Sequence, residues 1–560
     1  MRFIFVHAWG GFSLAEWYLR EALSAGCRGG VEVRSVDVPP HGVPANDYLP
    51  RAVLAFAPDV VGFSCHYWST PSFLEAARWV KHLRPEARVV FGGPQVASKA
   101  VASSFLGRHA AVDFVIRGPG EEPLVGLMEA IAGRGSVEEV PSLSWRSGKE
   151  VIHGRGRTDG RARGPIFHAG NRDLAERLEG LGEASYETVR GCRQGCIYCH
   201  YPFPGMHIVD DGLVESEISW LLGLRIPNVR ICDAHFGHTA ERAKALLRVI
   251  ARNNHRTCVR IYPDLGHVDA EYLGLVREAG ARVTSIGIQT TNPASLKAIR
   301  RVATHEHGEA IRLLLAAFPD TPADLITGLP GDDVEGIERS FRDVLDLGFR
   351  AVNVFRLRVF PGTALEEEME RHLGGDDIFL TAAGQVLESP RFARREQRRI
   401  VDLTHALEIV APLERARRAL ASSGGSVLDL AGRMDSTTLM DLASCTRSHN
   451  PARILARLPD LAGSVASLAP GSDARRVRDA VVADVAEHLR STCAEARVLR
   501  FSLSDGRAER SVSRVVFMLE SGGSLEWDLD AATVRGLDAA APAPGKESFE
   551  ILVMRGGGAA

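Results

Sequence analysis

Cysteine is scarce in this sequence, at nine of 560 residues. Six of the nine are scattered along the chain: Cys27, Cys65, Cys232, Cys258, Cys445 and Cys493. Isolated cysteines of this kind are typical of proteins kept in a reducing compartment, and they exclude a disulfide-rich secreted scaffold. We therefore expect a cytoplasmic protein.

Long apolar runs are also lacking. No stretch of the sequence reaches the roughly 18 consecutive apolar residues that a membrane-spanning helix requires. The chain opens on the strand-like residues 2–6, with no basic segment and no cleavage site ahead of them, so we expect no secretory leader. These absences predict a protein without a membrane partner.

An excess of charge of one sign is missing as well, since 67 Lys and Arg residues face 70 Asp and Glu residues, for a net charge of −3. No global field would attract nucleic acid, and we interpret the arginine-rich residues 391–399 as a solvated helix face. The apolar content of 45% and the charged content of 24% are ordinary for globular chains. The length predicts about three or four domains.

Three of the cysteines are concentrated in one stretch. Cys192, Cys196 and Cys199 have the spacing C-x3-C-x2-C and follow a short strand-like run. Three thiols placed this closely suit a metal or an iron–sulfur cluster better than core packing or disulfides. The spacing predicts an iron–sulfur cluster, with a structural zinc ion as the alternative.

Residues 1–140 alternate between strand-like and helical patterns, which predicts a parallel, doubly wound (Rossmann-like) sheet. Ligands of such sheets bind beyond the carboxyl ends of the strands. Glycines that would let a large ligand approach the backbone fall at these ends: Gly10, Gly11, Gly62, Gly92, Gly93, Gly118 and Gly120. Because no G-x-G-x-x-G motif is among them, a dinucleotide is disfavoured.

Three further regions follow. Residues 141–183 have little periodicity and a basic, glycine-rich run, so we predict a linker. Residues 184–375 contain six strand patterns that alternate with helical ones, which predicts a partial (β/α)6 TIM-like barrel with its active site at the carboxyl ends of the strands. Residues 376–560 predict a C-terminal α+β domain that covers the barrel mouth and shapes the substrate pocket.

The barrel region resembles the radical S-adenosylmethionine (SAM) enzymes. The stretch Arg190-Gly-Cys-x3-Cys-x-Tyr-Cys199 is similar to their cluster loop. Further matching blocks follow in the order of the family, at residues 233–236, 261–264, 286–300, 324–332 and 355–363. In this family three cysteines bind three irons of a [4Fe–4S] cluster, and the fourth iron takes the amino and carboxylate groups of SAM. The resemblance implies that Cys192, Cys196 and Cys199 are the cluster ligands.

The same resemblance implies a set of SAM-binding residues: Tyr198, Asp233, Gln289, Thr290 and Arg356. Tyr198 is expected beside the adenine and Asp233 at the amino group of the methionine. Gln289 and Thr290 are expected at the ribose or the carboxylate. Arg300 is an alternative to Arg356 as the partner of the carboxylate, and a structural salt bridge is the alternative role of both arginines.

Residues 1–140 resemble the cobalamin-binding domain that precedes the barrel in many radical SAM enzymes, through residues 90–96 and 113–122. The cobalamin-binding residues that this resemblance implies are Trp9, Gly10, Ser64, Gly92, Gly93, Pro94, Gly118 and Gly120. The D-x-H-x-x-G signature that supplies a cobalt ligand in other cobalamin proteins is missing from residues 7–13. We therefore expect no histidine on the lower face of cobalamin, which Trp9 would cover instead. His7, His41 and His66 are alternative ligands.

Both resemblances together imply a cobalamin-dependent radical SAM methyltransferase. In this family one SAM methylates cobalamin, and a second, cleaved at the cluster, gives the radical that activates a substrate carbon for the methyl group. Some relatives, among them tryptophan 2-C-methyltransferases, transfer methyl without that cleavage. The alternatives are an enzyme of this family that rearranges, cyclises or oxidises its substrate, and a non-catalytic binding module.

The expected substrate is a natural product, an amino acid (for example one similar to tryptophan) or a peptide. The expected reductant is an external electron donor similar to flavodoxin or ferredoxin. The implied cofactors are a [4Fe–4S] cluster, SAM and cobalamin, and neither nucleic acid nor a membrane is expected as a partner.

Overall fold

A computed structural model describes most of the chain, namely residues 1–8, 11–38, 48–156, 164–199, 201, 206–374, 377–381, 384–446, 451–471, 473–492, 496–504, 509–518 and 524–529. The chain forms two compact units. The first unit holds residues 1–321, 326–332 and 355–391, and the second holds the remainder.

The first unit begins with a seven-stranded sheet in the order β2-β1-β3-β4-β5-β6-β7. Its strands are β1 (Arg2–Ala8), β2 (Glu32–Val38), β3 (Val60–Ser64), β4 (Arg88–Gly92), β5 (Phe114–Ile116), β6 (Leu143–Ser147) and β7 (Glu150–His153). The helices between the strands are α1 (Leu14–Gly26), α2 (Tyr48–Phe56), α3 (Thr70–Leu83), α4 (Lys99–Arg108) and α5 (Glu121–Ile131). The first five strands are parallel, which confirms the predicted doubly wound sheet.

Alternation along β1 explains why this sheet has two cores. Ile4 and Val6 join one buried cluster, whereas Phe3 and Phe5 join another, because successive side chains of a strand point to opposite faces. The helices that connect parallel strands cover both faces, so the five residues of β1 at positions 3–6 and 8 are apolar. This burial leaves the carboxyl ends of the strands as the place where a ligand meets the sheet.

The predicted linker contains regular structure that the sequence did not reveal. Strands β6 and β7 form an antiparallel hairpin, and β6 extends the sheet by pairing with β5. Leu143 and Trp145 of β6 are buried. The two strands are short and a tight turn joins them, so they were too brief to give a clear period.

The barrel region follows in the first unit, except that parts of its fifth and sixth strands and the helix between them lie in the second unit. Its strands are β8 (Glu183–Tyr186), β9 (Val189–Arg190), β10 (His207–Ile208), β11 (Asn228–Ile231), β12 (Cys258–Ile261), β13 (Ala281–Val283), β14 (Ile286–Gln289), β15 (Ala323–Thr327) and β16 (Val352–Arg356). Its helices are α6 (Arg172–Leu181), α7 (Asp211–Gly223), α8 (Ala240–Asn253), α9 (Ala270–Glu278), α10 (Pro293–Ala298), α11 (Gly308–Ala317) and α12 (Val334–Asp346).

Six strand positions alternate with helices, as predicted for a partial barrel. The first four form a parallel sheet in the order β13-β12-β11-β8, and a second sheet has the order β14-β15-β16. The fourth strand position is interrupted between β13 and β14, which divides the barrel into these two sheets. Helix α8 shows why the elements form, because Thr239 caps its first turn while Leu246, Leu247 and Ile250 are buried on one face.

After the barrel the first unit adds α13 (Ala364–Glu367), α14 (Met369–Leu373) and the antiparallel pair β17 (Phe379–Leu380) and β18 (Val386–Glu388). The remaining helices belong to the second unit: α15 (Arg394–Val410), α16 (Glu414–Ser422), α17 (Leu430–Arg433), α18 (Ser436–Thr446), α19 (Pro451–Ala466) and α20 (Asp473–Thr492).

The last described residues of the second unit form an antiparallel sheet of β19 (Ala496–Ser504), β20 (Glu509–Met518) and β21 (Ser524–Leu529). The sequence predicts four strands here, at residues 498–503, 513–519, 524–529 and 549–554. The first three agree with β19, β20 and β21, and the fourth lies outside the described residues. The predicted role of this region as a cover of the barrel mouth stays a prediction. No helix among the described residues is long and apolar enough to cross a membrane.

Candidate functional site

The three clustered cysteines lie on the loop that follows β9. The turn into this loop is made by Gly191, whose φ of 104° favours glycine. The loop is fixed at its middle, where the backbone N–H of Ile197 donates to the carbonyl of Ile299 at 3.2 Å. Ile197 and Ile299 are also buried in the same hydrophobic cluster. The fold therefore holds the cysteine loop between the first and fourth strand positions of the barrel.

The thiols are half-buried, and chain groups surround them. Cys192 Sγ accepts from the backbone N–H of Gln194, and Cys199 Sγ accepts from that of Tyr201, both at 3.4 Å. Burial raises the pKa of both thiols. They therefore favour the protonated form until a cation such as iron stabilises the thiolate.

The donor set fits an iron–sulfur cluster better than the alternative of a zinc ion. Within the described part of the chain, no three His, Cys, Asp or Glu side chains are close enough together to hold a single metal ion. A tetrahedral zinc site needs four such donors at about 2 Å, whereas a cluster spreads its ligands over several irons. Three cysteines would leave one iron of a [4Fe–4S] cluster without a protein thiolate.

Arg301 is a cation beside this loop that sequence reasoning missed. Its Nη1 donates to Cys196 Sγ at 3.6 Å, and its Nη2 donates to the carbonyl of Gly287 at 2.6 Å. The predicted alternative, Arg300, is exposed instead. Helix α10 ends at Ala298, so helical periodicity could not show which of the two arginines turns inward.

The predicted SAM contacts occupy different environments. Tyr198 packs against the hydrophobic cluster under the cysteine loop, and burial raises its pKa. Arg356 is half-buried at the end of β16, and burial lowers its pKa. Gln289 ends β14 in a left-handed conformation with a φ of 67°. Their contacts with SAM stay predictions.

Asp233 has a structural task that the sequence did not reveal. It is fully buried, and its carboxylate accepts from the backbone N–H groups of Thr188, Val189 and Gly237 and from the Thr188 hydroxyl, at 2.5–3.4 Å. Burial raises its pKa, while these hydrogen bonds act in the opposite direction. Asp233 thus fastens the chain ahead of the cysteine loop to the end of β11, and its predicted contact with the SAM amino group stays a prediction.

Thr290 likewise belongs to a buried polar network. Its hydroxyl donates to Asp332 at 3.3 Å, and Asn292 donates to the other carboxylate oxygen of Asp332 at 2.9 Å. Thr290 and Asp332 are both nearly inaccessible to solvent. The network joins the end of β14 to the turn after β15 and orients that part of the barrel edge.

A second group that sequence reasoning missed lies at the ends of β11 and β12. His235 Nδ1 is 3.2 Å from Asp264 Oδ2, and Arg193 of the cysteine loop donates to the same carboxylate. Burial and the positive charges of Arg193 and Arg301 lower the pKa of His235 to about 4. His235 is therefore neutral at pH 7. The sequence signal that could have revealed this pair is a polar residue shortly after each of two neighbouring strands, His235 after β11 and Asp264 after β12.

The glycine-rich edge of the N-terminal sheet surrounds a mostly apolar cavity of about 430 Å³. The predicted cobalamin residues that line it are Ser64, Gly92, Gly93, Gly118 and Gly120. Pro94 starts a short 3-10 helix and is not part of the lining, and Trp9 and Gly10 lie outside the described residues. Gly93 has a φ of 90°, and an added Cβ there would lie 2.8 Å from the backbone of Cys65.

The cavity fits a large flat cofactor at this edge. A Cβ added to Gly118 would meet no protein atom within 4 Å, so the space beside it is open to a ligand. The cavity continues to barrel residues, because Glu187, Arg190, Tyr201 and Cys232 also line it. The glycine edge and barrel residues on either side of the cysteine triad, such as Arg190 and Tyr201, therefore line one cavity.

The alternative cobalt ligands are placed as follows. His7 and His66 line the cavity, and His41 lies outside the described residues. His7 Nε2 is 2.6 Å from Glu16 Oε2. Burial would raise the pKa of Glu16, but His7 and Arg20 lower it to about 2. His7 is thus engaged with a carboxylate, and His66 stacks on Trp68.

Comparisons with known proteins match two regions of the chain. Residues 186–344 match the model of the radical SAM superfamily, and residues 13–128 match that of the B12 binding domain. The cobalamin-dependent radical SAM methyltransferase TokK of Streptomyces tokunonensis is 28% identical in an alignment of 368 positions that covers 56% of this chain and 49% of TokK. The chain thus spans about half the length of TokK.

Hopanoid C-3 methylase of Methylococcus capsulatus is 32% identical in an alignment of 369 positions that covers 63% of this chain and 68% of that protein. Among solved structures, the cobalamin-dependent SAM radical enzyme OxsB, with aqua-cobalamin and SAM bound, has a TM-score of 0.60 at 13% identity. That match covers 88% of this chain and 80% of OxsB, and it shows the shared fold.

The matched regions contain the glycine edge and the cysteine loop, and the identity and coverage of the methylase establish common descent. The family uses a [4Fe–4S] cluster, SAM and cobalamin. The chain belongs to the cobalamin-dependent radical SAM enzymes.

Proposed function

We propose that this chain is a methyltransferase that moves a methyl group from SAM, by way of cobalamin, to a carbon centre of a natural product, amino acid or peptide. The observation that carries the proposal is the single cavity shared by the glycine edge and the residues around the cysteine loop. A methyl carrier and a SAM site have to face each other for such a transfer, and a shared cavity permits this. The similarity to TokK, a methyltransferase, and to hopanoid C-3 methylase supports methyl transfer as the reaction class.

The bound cofactors would supply electron transfer at the cluster and carriage of the methyl group at cobalt. The residues of the chain would hold and orient them. Cys192, Cys196 and Cys199 would bind three irons, and Arg301 would place a positive charge beside the cluster. Tyr198 and Arg356 are the residues that we propose for the adenine and the carboxylate of SAM.

The sheet edge would hold cobalamin mainly through backbone. Gly92, Gly93, Gly118 and Gly120 offer peptide groups without side chains, which allows close approach of a wide ring. The apolar lining beneath them, including Phe3, would exclude water from the ligand. We further propose an external flavodoxin-like or ferredoxin-like electron donor and a cytoplasmic location, which the unpaired cysteines among the described residues support.

The test follows the methyl group of labelled SAM in the anaerobic, cobalamin-loaded and cluster-loaded protein. Label recovered in the acceptor, with S-adenosylhomocysteine formed, supports methyl transfer. Formation of 5′-deoxyadenosine with an unlabelled product would instead support rearrangement, cyclisation or oxidation of the substrate. Absence of both products with a panel of candidate acceptors, in protein that retains both cofactors, would favour a binding module.

A further inference from the structure

Arg190 occupies a special position in the cavity. It is the last residue of β9 and precedes Cys192 by two positions, so its backbone leads directly into the cysteine loop. The backbone is held there, since Arg190 pairs with His207 of β10 in an antiparallel ladder. A displacement of Arg190 would therefore be passed to Cys192 through Gly191.

The side chain of Arg190 extends away from the barrel to the cobalamin-binding domain. Its Nη1 donates to Glu121 Oε1 at 2.7 Å, and its Nε donates to Glu187 Oε1 at 2.9 Å. The guanidinium carbon lies 5.2 Å from the centre of the Tyr18 ring on α1. At most about one seventh of the surface of the three charged side chains is exposed (10% for Arg190, 14% for Glu121 and 10% for Glu187).

Glu121 connects the ion-pair bridge that Arg190 forms with Glu121 and Glu187 to the glycine edge. It is the first residue of α5 and follows Gly120 directly, while Gly118 of the same turn has a φ of 81°. All of these residues line the shared cavity together with Arg190. A ligand that moves or stiffens the turn at residues 118–120 therefore acts on the carboxylate that holds Arg190.

The chemistry of the bridge makes it a stiff connection. A guanidinium group presents several donors in a fixed plane, so one arginine can bind two carboxylates at once, which a lysine does less well. Separating buried charges that are paired is unfavourable, because each charge would lose its partner without regaining water. The glycine turn and the entry to the cysteine loop are thus expected to change position together.

We propose that Arg190 is a positioning residue that couples cobalamin binding to the geometry of the cluster loop, through Glu121 on one side and Cys192 on the other. This inference rests on the proposed function only in taking the cavity as the cobalamin site. Coupling between two sites is reciprocal, so loading of the cluster changes the affinity for cobalamin by the same factor as the reverse.

The experiment measures the Kd of hydroxocobalamin, without SAM or acceptor, for protein with and without the reconstituted cluster. The electron paramagnetic resonance (EPR) spectrum of the reduced cluster is recorded with and without cobalamin. In the natural chain we expect the cluster to tighten cobalamin binding about 10-fold, within the range of about 5- to 150-fold typical of coupled sites. We also expect cobalamin to change the EPR spectrum.

In Arg190→Gln the ratio of the two Kd values should fall to about 1, and the spectral change should disappear. Arg190→Lys should keep the ratio of the two Kd values between those of the natural chain and Arg190→Gln, because lysine retains the positive charge but lacks the planar guanidinium that can bind two carboxylates. Glu121→Gln should act like Arg190→Gln and add little to it in the double variant, since both cut the same bridge. Glu121→Gln also serves if Arg190→Gln does not fold.

Arg193→Gln is the matched control. Arg193 is also next to the cysteine triad, but its partner is Asp264 of the barrel, so this variant should retain the Kd ratio. An unchanged ratio in folded Arg190→Gln and Glu121→Gln, or a ratio of 1 in the natural chain, would overturn the inference. Failure of methyl transfer in protein that shows the coupling would count against the proposed function alone.

Discussion

The cysteine loop and the glycine edge of the sheet solve the problem of cofactor binding in opposite ways. The cysteine loop supplies its three thiols from one short segment after β9. The glycine edge is assembled from turns after β3, β4 and β5 and offers mainly backbone. Covalent ligation concentrates binding in a few side chains, whereas backbone contacts spread it over many weak ones. Substitutions should therefore act in an all-or-none manner at the loop and in graded steps at the edge.

The largest effect is expected at the loop. Replacing Cys192, Cys196 or Cys199 by Ala removes one of three ligands, and each change should abolish the visible absorbance and the EPR signal of the reconstituted cluster. Iron content and spectra measure this loss. Cobalamin should still bind, since the glycine edge is untouched, but about 10-fold more weakly, because the cluster that tightens its binding is lost. Cys258→Ala, at a cysteine of β12 outside the loop, is the control and should keep the cluster.

The next largest effect should come from Gly93→Ala. The residue has a φ of 90°, and the new Cβ would lie 2.8 Å from the N and O atoms of Cys65. We expect the free energy of unfolding to fall by about 3 kcal/mol, the upper end of the cost of a strained backbone. Denaturant titration checks this value.

Gly92→Ala is the neighbouring control. Its Cβ would find its nearest atom, Ile116 O, at 3.7 Å, which is ordinary contact. The free energy of unfolding should change by less than about 0.5 kcal/mol. Equal losses at Gly92 and Gly93 would show that the local backbone does not require glycine at position 93.

The sequence could predict those parts of the fold and of the site that depend on local patterns, but not those that depend on contacts between distant residues. The cysteine triad and the alternation of strands and helices are local patterns, so the cluster loop, the doubly wound sheet and the barrel strands could be predicted. The hydrogen bonds of Asp233 to Thr188 join residues 45 positions apart, and no local pattern shows them. The bridge from Arg190 to Glu121 spans 69 positions and was missed for the same reason.

A smaller effect is expected from Arg301→Gln. The change removes a positive charge beside Cys196 Sγ, so the reduced cluster loses electrostatic stabilisation. We expect the reduction potential of the cluster to become more negative, by on the order of 50 mV. A potentiometric EPR titration measures it. Arg300→Gln, at the exposed neighbour, should leave the potential unchanged, and equal shifts in the two variants would contradict the placement of Arg301.

The smallest change in stability is expected from Gly118→Ala. Its φ of 81° makes alanine unfavourable, but no protein atom lies within 4 Å of the new Cβ. The free energy of unfolding should fall by about 1 kcal/mol. Because the methyl group enters the cavity edge, the Kd for cobalamin should rise about 10-fold, equal to about 1.4 kcal/mol.

Gly133→Ala separates these two effects. Gly133 has a similar φ of 74° and equally open surroundings, but it does not line the cavity. It should show the same loss of stability with unchanged cobalamin affinity, which isothermal titration measures. Equal cobalamin affinities in the two variants would place the cofactor elsewhere.

The most direct test of the shared cavity is magnetic. Cob(II)alamin and the reduced cluster both carry unpaired electrons, so a cobalamin in the cavity and a cluster on the adjoining cysteine loop should broaden or split each other's EPR signals. We predict this interaction in protein loaded with both cofactors and its absence in the Cys192→Ala variant loaded with cob(II)alamin. Two unperturbed, independent signals in fully loaded protein would contradict the proposal that the glycine edge and the cysteine loop serve one reaction.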